Sequence, residues 1–188
     1  MSARTHLRVA TNPWNDWYHV TVHAYGSWLR GDPRGWRSRH HREHVDGDYR
    51  HPPPKGKYDR LYELSKSLMK RNPVRMMSEL RTFVANSVAE KLRQDGIQAL
   101  IVSVDATHVH VLARFPDHNP RHWIGRAKKH ASHLVRQHGL RIDAGGLWAK
   151  RCHCDPIADR QHQLNTFRYI LDHARRGARV WRFDRATS

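Results

Sequence analysis

Residues 97–115 read IQALIVSVDATHVHVLARF, and they predict a β-hairpin in the middle of the chain. Two runs rich in β-branched residues are separated by the tight turn Asp105-Ala106. In the second run, alternate side chains point to opposite faces of the strand. Val109 and Val111 therefore suit a helix-covered core, while the histidines at 108 and 110 project together from the other face.

The segments on either side of this hairpin predict further strands and helices. Hydrophobic periodicity and turn residues place strands at 17–25, 146–154 and 180–183, and helices at 76–94, 119–138 and 155–176. The resulting order, β-α-β-β-α-β-α, is typical of an α+β ferredoxin-like split βαβ sandwich with an antiparallel sheet and a C-terminal helix. We expect one domain over residues 1–188, with a basic loop at about 30–59 that buries little apolar surface.

The charge of the chain indicates its class of partner. Lys and Arg number 34 against 17 Asp and Glu, and the formal net charge of +17 favours a polyanion such as nucleic acid. No apolar run has the length of a signal peptide or a membrane span, so we expect no membrane partner and a cytoplasmic, nucleoid-associated location. Cys152 and Cys154 are too few for a disulfide framework, and a zinc site that includes His153 is the alternative to a buried or idle pair.

The last predicted helix carries a tyrosine and a histidine at helical spacing. Its apolar residues predict a buried stripe formed by Leu164, Phe167, Leu171 and Ala174. Tyr169 falls on the polar side, which it shares with His162, Thr166 and His173, and His173 follows it by one helical turn. Taken alone, this pattern favours an ordinary exposed tyrosine on a solvated face.

The histidine strand and the tyrosine helix are more informative when they are considered together. If the helix docks beside the uncovered sheet face, Tyr169 and His173 meet the His108-Val109-His110 strand. Imidazoles that alternate on a strand can share one cation, and by ligand type zinc or manganese suits them better than magnesium. A phenol with a pKa near 10 is a weak nucleophile. A metal that polarises a phosphate oxygen and orients the scissile group would let the phenol attack.

These residues resemble a known family. His108-Val109-His110 is similar to the His-hydrophobic-His motif of the HUH endonucleases, and residues 169–173 resemble the catalytic helix of single-tyrosine transposases, with the REP-associated tyrosine transposases as the nearest group. Residues 25–35, YGSWLRGDPRG, also resemble a segment found in that group. The similarity covers about residues 17–181.

The resemblance implies a mechanism and a set of roles. His108 and His110 would ligate a divalent metal, Mg or Mn in this family with Zn as the alternative, and His173 would complete the site where the family commonly has Gln or Asn. Tyr169 would cleave single-stranded DNA, hold its 5′ phosphate covalently, and permit strand transfer. The implied DNA carries a hairpin beside the cleavage site, and the protein acts as a monomer or a homodimer.

A further set of basic and aromatic residues is predicted to bind nucleic acid, through phosphates or by stacking on unpaired bases. The predicted set is Arg30, Arg34, Trp36, Arg37, Arg121, Arg126, Lys128, Lys129, Arg175 and Arg176.

Three other functional interpretations of the same residues stay open. A replication initiator or relaxase uses the same chemistry but is typically larger. A histidine-triad hydrolase would require a third alternating histidine at position 112, where this chain has Leu112. A non-catalytic RNA- or DNA-binding module would use only the basic surface.

Overall fold

The computed structural model describes residues 13–38, 42–48, 50–140 and 145–183. The strands are β1 (Trp17–Ala24), β2 (Gln98–Val104), β3 (His108–Arg114), β4 (Trp148–Pro156) and β5 (Arg179–Arg182). The helices are α1 (Asp59–Ser67), α2 (Ser78–Gln94), α3 (Pro120–Gln137) and α4 (Arg160–Asp172), and a 3-10 turn follows α4 at His173–Arg176.

The five strands form one sheet in the order β4-β1-β3-β2-β5, and every neighbouring pair is antiparallel. The first four strands have the ferredoxin-like order, and β5 extends the sheet beside β2. This arrangement confirms the predicted α+β fold. It also puts β1 directly beside β3, with Thr21 opposite His110 and His23 opposite His108.

Helices α2 and α3 cover one face of the sheet. Their buried side chains pack against alternate residues of the central strands in a large apolar core, which includes Val22, Val109, Val111, Leu92 and Ile124. The prediction that Val109 and Val111 face a helix-covered core is therefore confirmed.

Helix α4 lies on the opposite face and contacts β2 and β3. A small second core holds it there, in which Ile170 packs with Trp17, Ile101, Leu112 and Ile157. Because α4 is anchored beside the histidine strand, its position decides which of its side chains approach β3.

The predicted buried stripe of α4 is wrong. Leu164 and Ala174 are exposed, Phe167 and Leu171 are half-buried, and the buried side is formed by Thr166, Ile170 and His173. Apolar periodicity misplaced the stripe because this side of the helix buries polar groups against the sheet.

The start of α4 also differs from the prediction. Asp155 and Pro156 belong to β4, where they pair with His19 and Tyr18 of β1, so they do not begin the helix. Asp159 caps the helix instead, and its side chain accepts a hydrogen bond from the backbone N–H of His162.

The region between β1 and α2 is more ordered than the prediction of a loop with little burial implied. Val45 is fully buried and Asp32 is 2% exposed, and the unpredicted helix α1 begins at Asp59. Gly31, at a φ of +85°, lies so close to α1 that a Cβ there would meet the backbone nitrogen of Tyr62 at 2.7 Å. Residues 39–41 and 49 of the predicted loop lie outside the described residues.

The two cysteines on β4 are free thiols with their sulfurs 3.8 Å apart, and both pack against the helix-covered core. His153 projects from the other side of the strand and pairs with Asp155, so the three residues do not converge on one zinc ion. None of the helices in the described ranges combines the length and the hydrophobicity of a membrane span.

Candidate metal and tyrosine site

Three imidazoles converge on the side of the sheet that carries α4. One ligand atom from each of His108, His110 and His173 lies within 4.8 Å of the others, and no other such cluster of three occurs among the described residues. The ring centroids of His110 and His173 are 4.6 Å apart. The strand provides two of these residues by alternation, and the end of α4 provides the third.

Tyr169 lies beside this cluster, one helical turn before His173. Its ring centroid is 5.4 Å from that of His110 and 4.9 Å from that of His173. The side chain is 46% exposed, so the phenol borders the imidazoles on one side and remains accessible to a large substrate on the other. The convergence that the sequence predicted for these four residues is present in a single chain.

Hydrogen bonds orient two of the imidazoles. The Nδ1 atom of His108 is 3.1 Å from the Thr107 hydroxyl, and the Nδ1 atom of His110 is 3.0 Å from His19 Nε2 and 3.2 Å from the Thr21 hydroxyl. Because both Nδ1 atoms have partners, the Nε2 atoms of these two rings remain for a ligand.

Burial keeps the imidazoles neutral. Desolvation lowers the pKa of His110 to about 2 and the pKa of His108 to about 4, from an ordinary value of 6.5. Desolvation also lowers the pKa of His173, and the nearby Arg176 adds to that effect. A neutral imidazole offers a lone pair, so the same burial that disfavours a proton prepares these rings for a cation.

His173 provides a test of whether a metal fits. It is 3% exposed, and neither of its ring nitrogens has a hydrogen-bond partner. Buried polar atoms without partners are uncommon in proteins and call for an explanation. A divalent cation shared with His108 and His110 satisfies one of these nitrogens, so the residues present fit a metal.

The residues predicted to bind nucleic acid are distributed over both faces of the sheet. Arg34 lies over the Trp28 ring, which stacks on His23, and Arg176 belongs to the same 3-10 turn as His173, so both arginines lie on the side of the sheet that carries the imidazoles. Arg175 and Arg176 both pair with Asp172 at the end of α4.

The other predicted basic residues lie further from the imidazoles. Arg121, Arg126, Lys128 and Lys129 belong to α3, which packs on the opposite face. Arg126 pairs with Asp95, and Lys128 donates to the backbone carbonyl of Ala149.

The loop after β1 holds the remaining predicted nucleic-acid contacts. Arg30 pairs with Glu43 and lies 5.9 Å from the centre of the Trp36 ring, and Arg37 forms a backbone bridge with His44. These contacts place Arg30, Trp36 and Arg37 on the insertion and not among the imidazoles.

Several residues beside the imidazoles were not predicted from the sequence. His19, Thr21 and His23 alternate along β1 on the face that carries the imidazoles. Ser103 of β2 lies opposite His110 of β3, and its buried hydroxyl has no hydrogen-bond partner. The alternation of polar side chains in residues 17–24 was a usable signal. Only the strand order and register show that they lie beside His110.

Comparisons with known proteins identify the family to which this chain belongs. A comparison with curated proteins found no significant match. One solved structure, of a REP-associated tyrosine transposase bound to a REP hairpin, is 11% identical, has a TM-score of 0.49, and is matched over 94% of this chain and 75% of that chain. The family model described as "Transposase IS200 like" matches residues 62–173, more than half of the chain, and this range includes His108, His110, Tyr169 and His173. The chain therefore belongs to the IS200-like transposase family.

Proposed function

We propose that this protein is a metal-dependent strand transferase for single-stranded DNA, with Tyr169 as the nucleophile. The observation that carries the proposal is the contact of the Tyr169 ring with both His110 and His173, two members of the imidazole cluster. The family membership supports a DNA-processing activity of the transposase type.

In the proposed reaction, the Tyr169 hydroxyl attacks a backbone phosphate. A bond forms between the phenol oxygen and phosphorus, the bond to the 3′ oxygen breaks, and the proton lost by the phenol is balanced by the proton gained at the new 3′ hydroxyl. The product is a 5′-phosphotyrosine that conserves the energy of the phosphodiester. Attack by a second 3′ hydroxyl reverses the exchange and joins the strands.

The three histidines would hold a divalent cation that polarises a phosphate oxygen and orients the scissile group. His108 and His110 would offer their Nε2 atoms, because both Nδ1 atoms already have partners. We propose magnesium or manganese as the working ion, with zinc as the alternative that imidazole ligands favour.

The DNA-binding surface that we propose begins next to the imidazoles. The Trp28 ring stacks on His23 at 5.5 Å, and the Arg34 guanidinium lies 5.1 Å from the centre of the Trp28 ring. Arg176 lies in the 3-10 turn that contains His173. A single strand that runs past these groups would meet an aromatic ring for stacking and cations for its phosphates.

We further propose that residues 1–188 act as one domain with the 30–59 insertion, in the cytoplasm and associated with the nucleoid. Because the tyrosine and the imidazoles come from one chain, either a monomer or a homodimer would suffice. A hairpin beside the cleavage site is the proposed recognition element.

The test uses a labelled single-stranded hairpin oligonucleotide with Mn²⁺, and the measurement is a covalent protein–DNA adduct on a denaturing gel. We expect the adduct with the unaltered protein and none with Tyr169→Phe or His108→Ala. Tyr18→Phe is the matched control, because Tyr18 packs against the helix-covered core. It should react normally.

Two outcomes would contradict the proposal. An adduct that persists in both Tyr169→Phe and His108→Ala would show that the site is wrongly assigned. DNA binding that survives chelation, with no adduct under any condition, would favour a non-catalytic nucleic-acid-binding module.

A further inference from the structure

We propose that His19 and Thr21 of β1 are positioning residues that fix His110 in the orientation needed to bind the metal. The inference rests on the proposed metal site. It concerns residues outside the range of the family match, which begins at residue 62.

The geometry comes from the pairing of β1 with β3. Thr21 lies directly opposite His110, and His19 lies two residues along β1 on the same face of the sheet. From these positions the Nε2 atom of His19 is 3.0 Å from the Nδ1 atom of His110, and the Thr21 hydroxyl is 3.2 Å from the same atom.

These contacts determine which tautomer of His110 binds a metal. When Nε2 of His110 binds the cation, its Nδ1 carries the proton and donates it to His19 Nε2 or to the Thr21 hydroxyl. His19 then accepts at Nε2 and carries its own proton on Nδ1. An outer partner of this kind holds the ring in place and makes the ligand nitrogen more basic.

His19 also connects the metal ligand to the nucleophile. Its ring centroid is 5.1 Å from that of His110 and 6.0 Å from that of Tyr169. The side chain therefore contacts both a proposed metal ligand and the proposed nucleophile. A change at His19 would therefore affect the surroundings of both His110 and Tyr169, whereas the hydroxyl of Thr21 contacts His110.

The test is the affinity of the purified full chain for Mn²⁺, measured by isothermal titration calorimetry in the absence of DNA. His19→Phe and Thr21→Val remove the partners of His110 and keep similar shapes, and together they should weaken Mn²⁺ binding by roughly 10- to 100-fold. His19→Gln and Thr21→Ser keep a polar atom near Nδ1 and should restore most of the affinity.

His153→Phe is the matched control. His153 lies on β4 directly opposite Thr21, but its side chain contacts the Asp155 carboxylate and not His110. Its loss should therefore leave Mn²⁺ affinity unchanged. Thermal unfolding of each apo variant checks that it is folded, and each single variant replaces the double variant if the latter unfolds.

The outcomes separate this inference from the proposed function. If the unaltered protein fails to bind Mn²⁺, the metal site itself is wrong. If the unaltered protein binds Mn²⁺ and a folded His19→Phe, Thr21→Val variant binds it equally well, only the positioning role is overturned. Equal loss in the Phe and Gln variants at position 19 would also overturn it, because hydrogen bonding would not be the cause.

Discussion

The two faces of the sheet are built from the same strands but carry different chemistry. On one face, α2 and α3 bury a continuous aliphatic layer against residues such as Val109 and Val111. On the other face, α4 is held by a much smaller apolar cluster, and polar groups such as His110 and His173 are buried beside it. Alternation along each strand lets the first face supply stability while the second accepts the cost of buried imidazoles.

The largest expected effect compares two adjacent residues of β3 that point to opposite faces. His110→Ala removes a proposed ligand and should weaken Mn²⁺ binding by more than about 100-fold, because even the loss of an outer partner costs 10- to 100-fold. Val111→Ala should lower the free energy of unfolding by about 2–3 kcal/mol, because it removes buried apolar surface and leaves a cavity. It should leave the affinity for Mn²⁺ unchanged.

Calorimetric titration and denaturant unfolding of both variants make this measurement. The comparison breaks if Val111→Ala weakens Mn²⁺ binding in the folded protein as much as His110→Ala does.

The second prediction concerns two buried isoleucines, one under each face. Ile124→Ala in α3 and Ile170→Ala in α4 should each cost roughly 2–5 kcal/mol of unfolding free energy. Only Ile170→Ala should also slow adduct formation, by tenfold or more, because Ile170 holds the helix that carries Tyr169 and a shift of about 1 Å can cost 100-fold.

Adduct rates are compared at a temperature where both isoleucine variants remain folded, with Ile→Val at each position as the milder substitution. Similar rates for the α3 and α4 variants would mean that the small core beneath α4 does not position the nucleophile.

Much of the architecture was readable from the sequence. The alternation in β3 identified the two faces. The predicted spacing put Tyr169 and His173 one turn apart, but α4 ends at Asp172 and His173 is buried in the 3-10 turn that follows. The predicted stripe of α4 is wrong because the polar residues Thr166 and His173 are buried against the sheet, and hydrophobic periodicity counts only apolar side chains.

The alternation of polar side chains in β1 indicated a polar face, but no local pattern could show that this face lies beside His110. His19 and Thr21 lie about ninety residues from His110 in sequence, and their contact depends on which strands are neighbours and in what register. Likewise, Asp32 and Val45 are buried by contacts within an irregular segment that has no period to detect.

The third prediction uses two histidines with buried, unpartnered ring nitrogens, one on each side of the sheet. His173 lies at the end of α4, and His130 lies on α3 with its Nε2 atom unpartnered. His173→Ala should weaken Mn²⁺ binding by roughly tenfold to a hundredfold while DNA binding persists, because water can replace one of three ligands only poorly.

His130→Ala serves as the control and should leave Mn²⁺ binding unaltered. If the two histidine variants are indistinguishable in calorimetric titration, the unpartnered nitrogens of His173 do not indicate a metal.

The smallest expected effect concerns which face the DNA contacts. Arg176 follows α4 and lies close enough to His108 and His173 to lower the pKa of both. We expect Arg176→Ala to weaken single-stranded DNA binding modestly and to reduce the slope of log affinity against log salt by about 1, since one phosphate contact is lost. Lys129→Ala removes an exposed cation from α3, on the opposite face, and we expect a smaller change in slope. Fluorescence anisotropy over a salt series measures both variants. Equal changes in slope would mean that the DNA also contacts α3. Both faces of the sheet would then bind DNA, and the face covered by α2 and α3 would not serve stability alone.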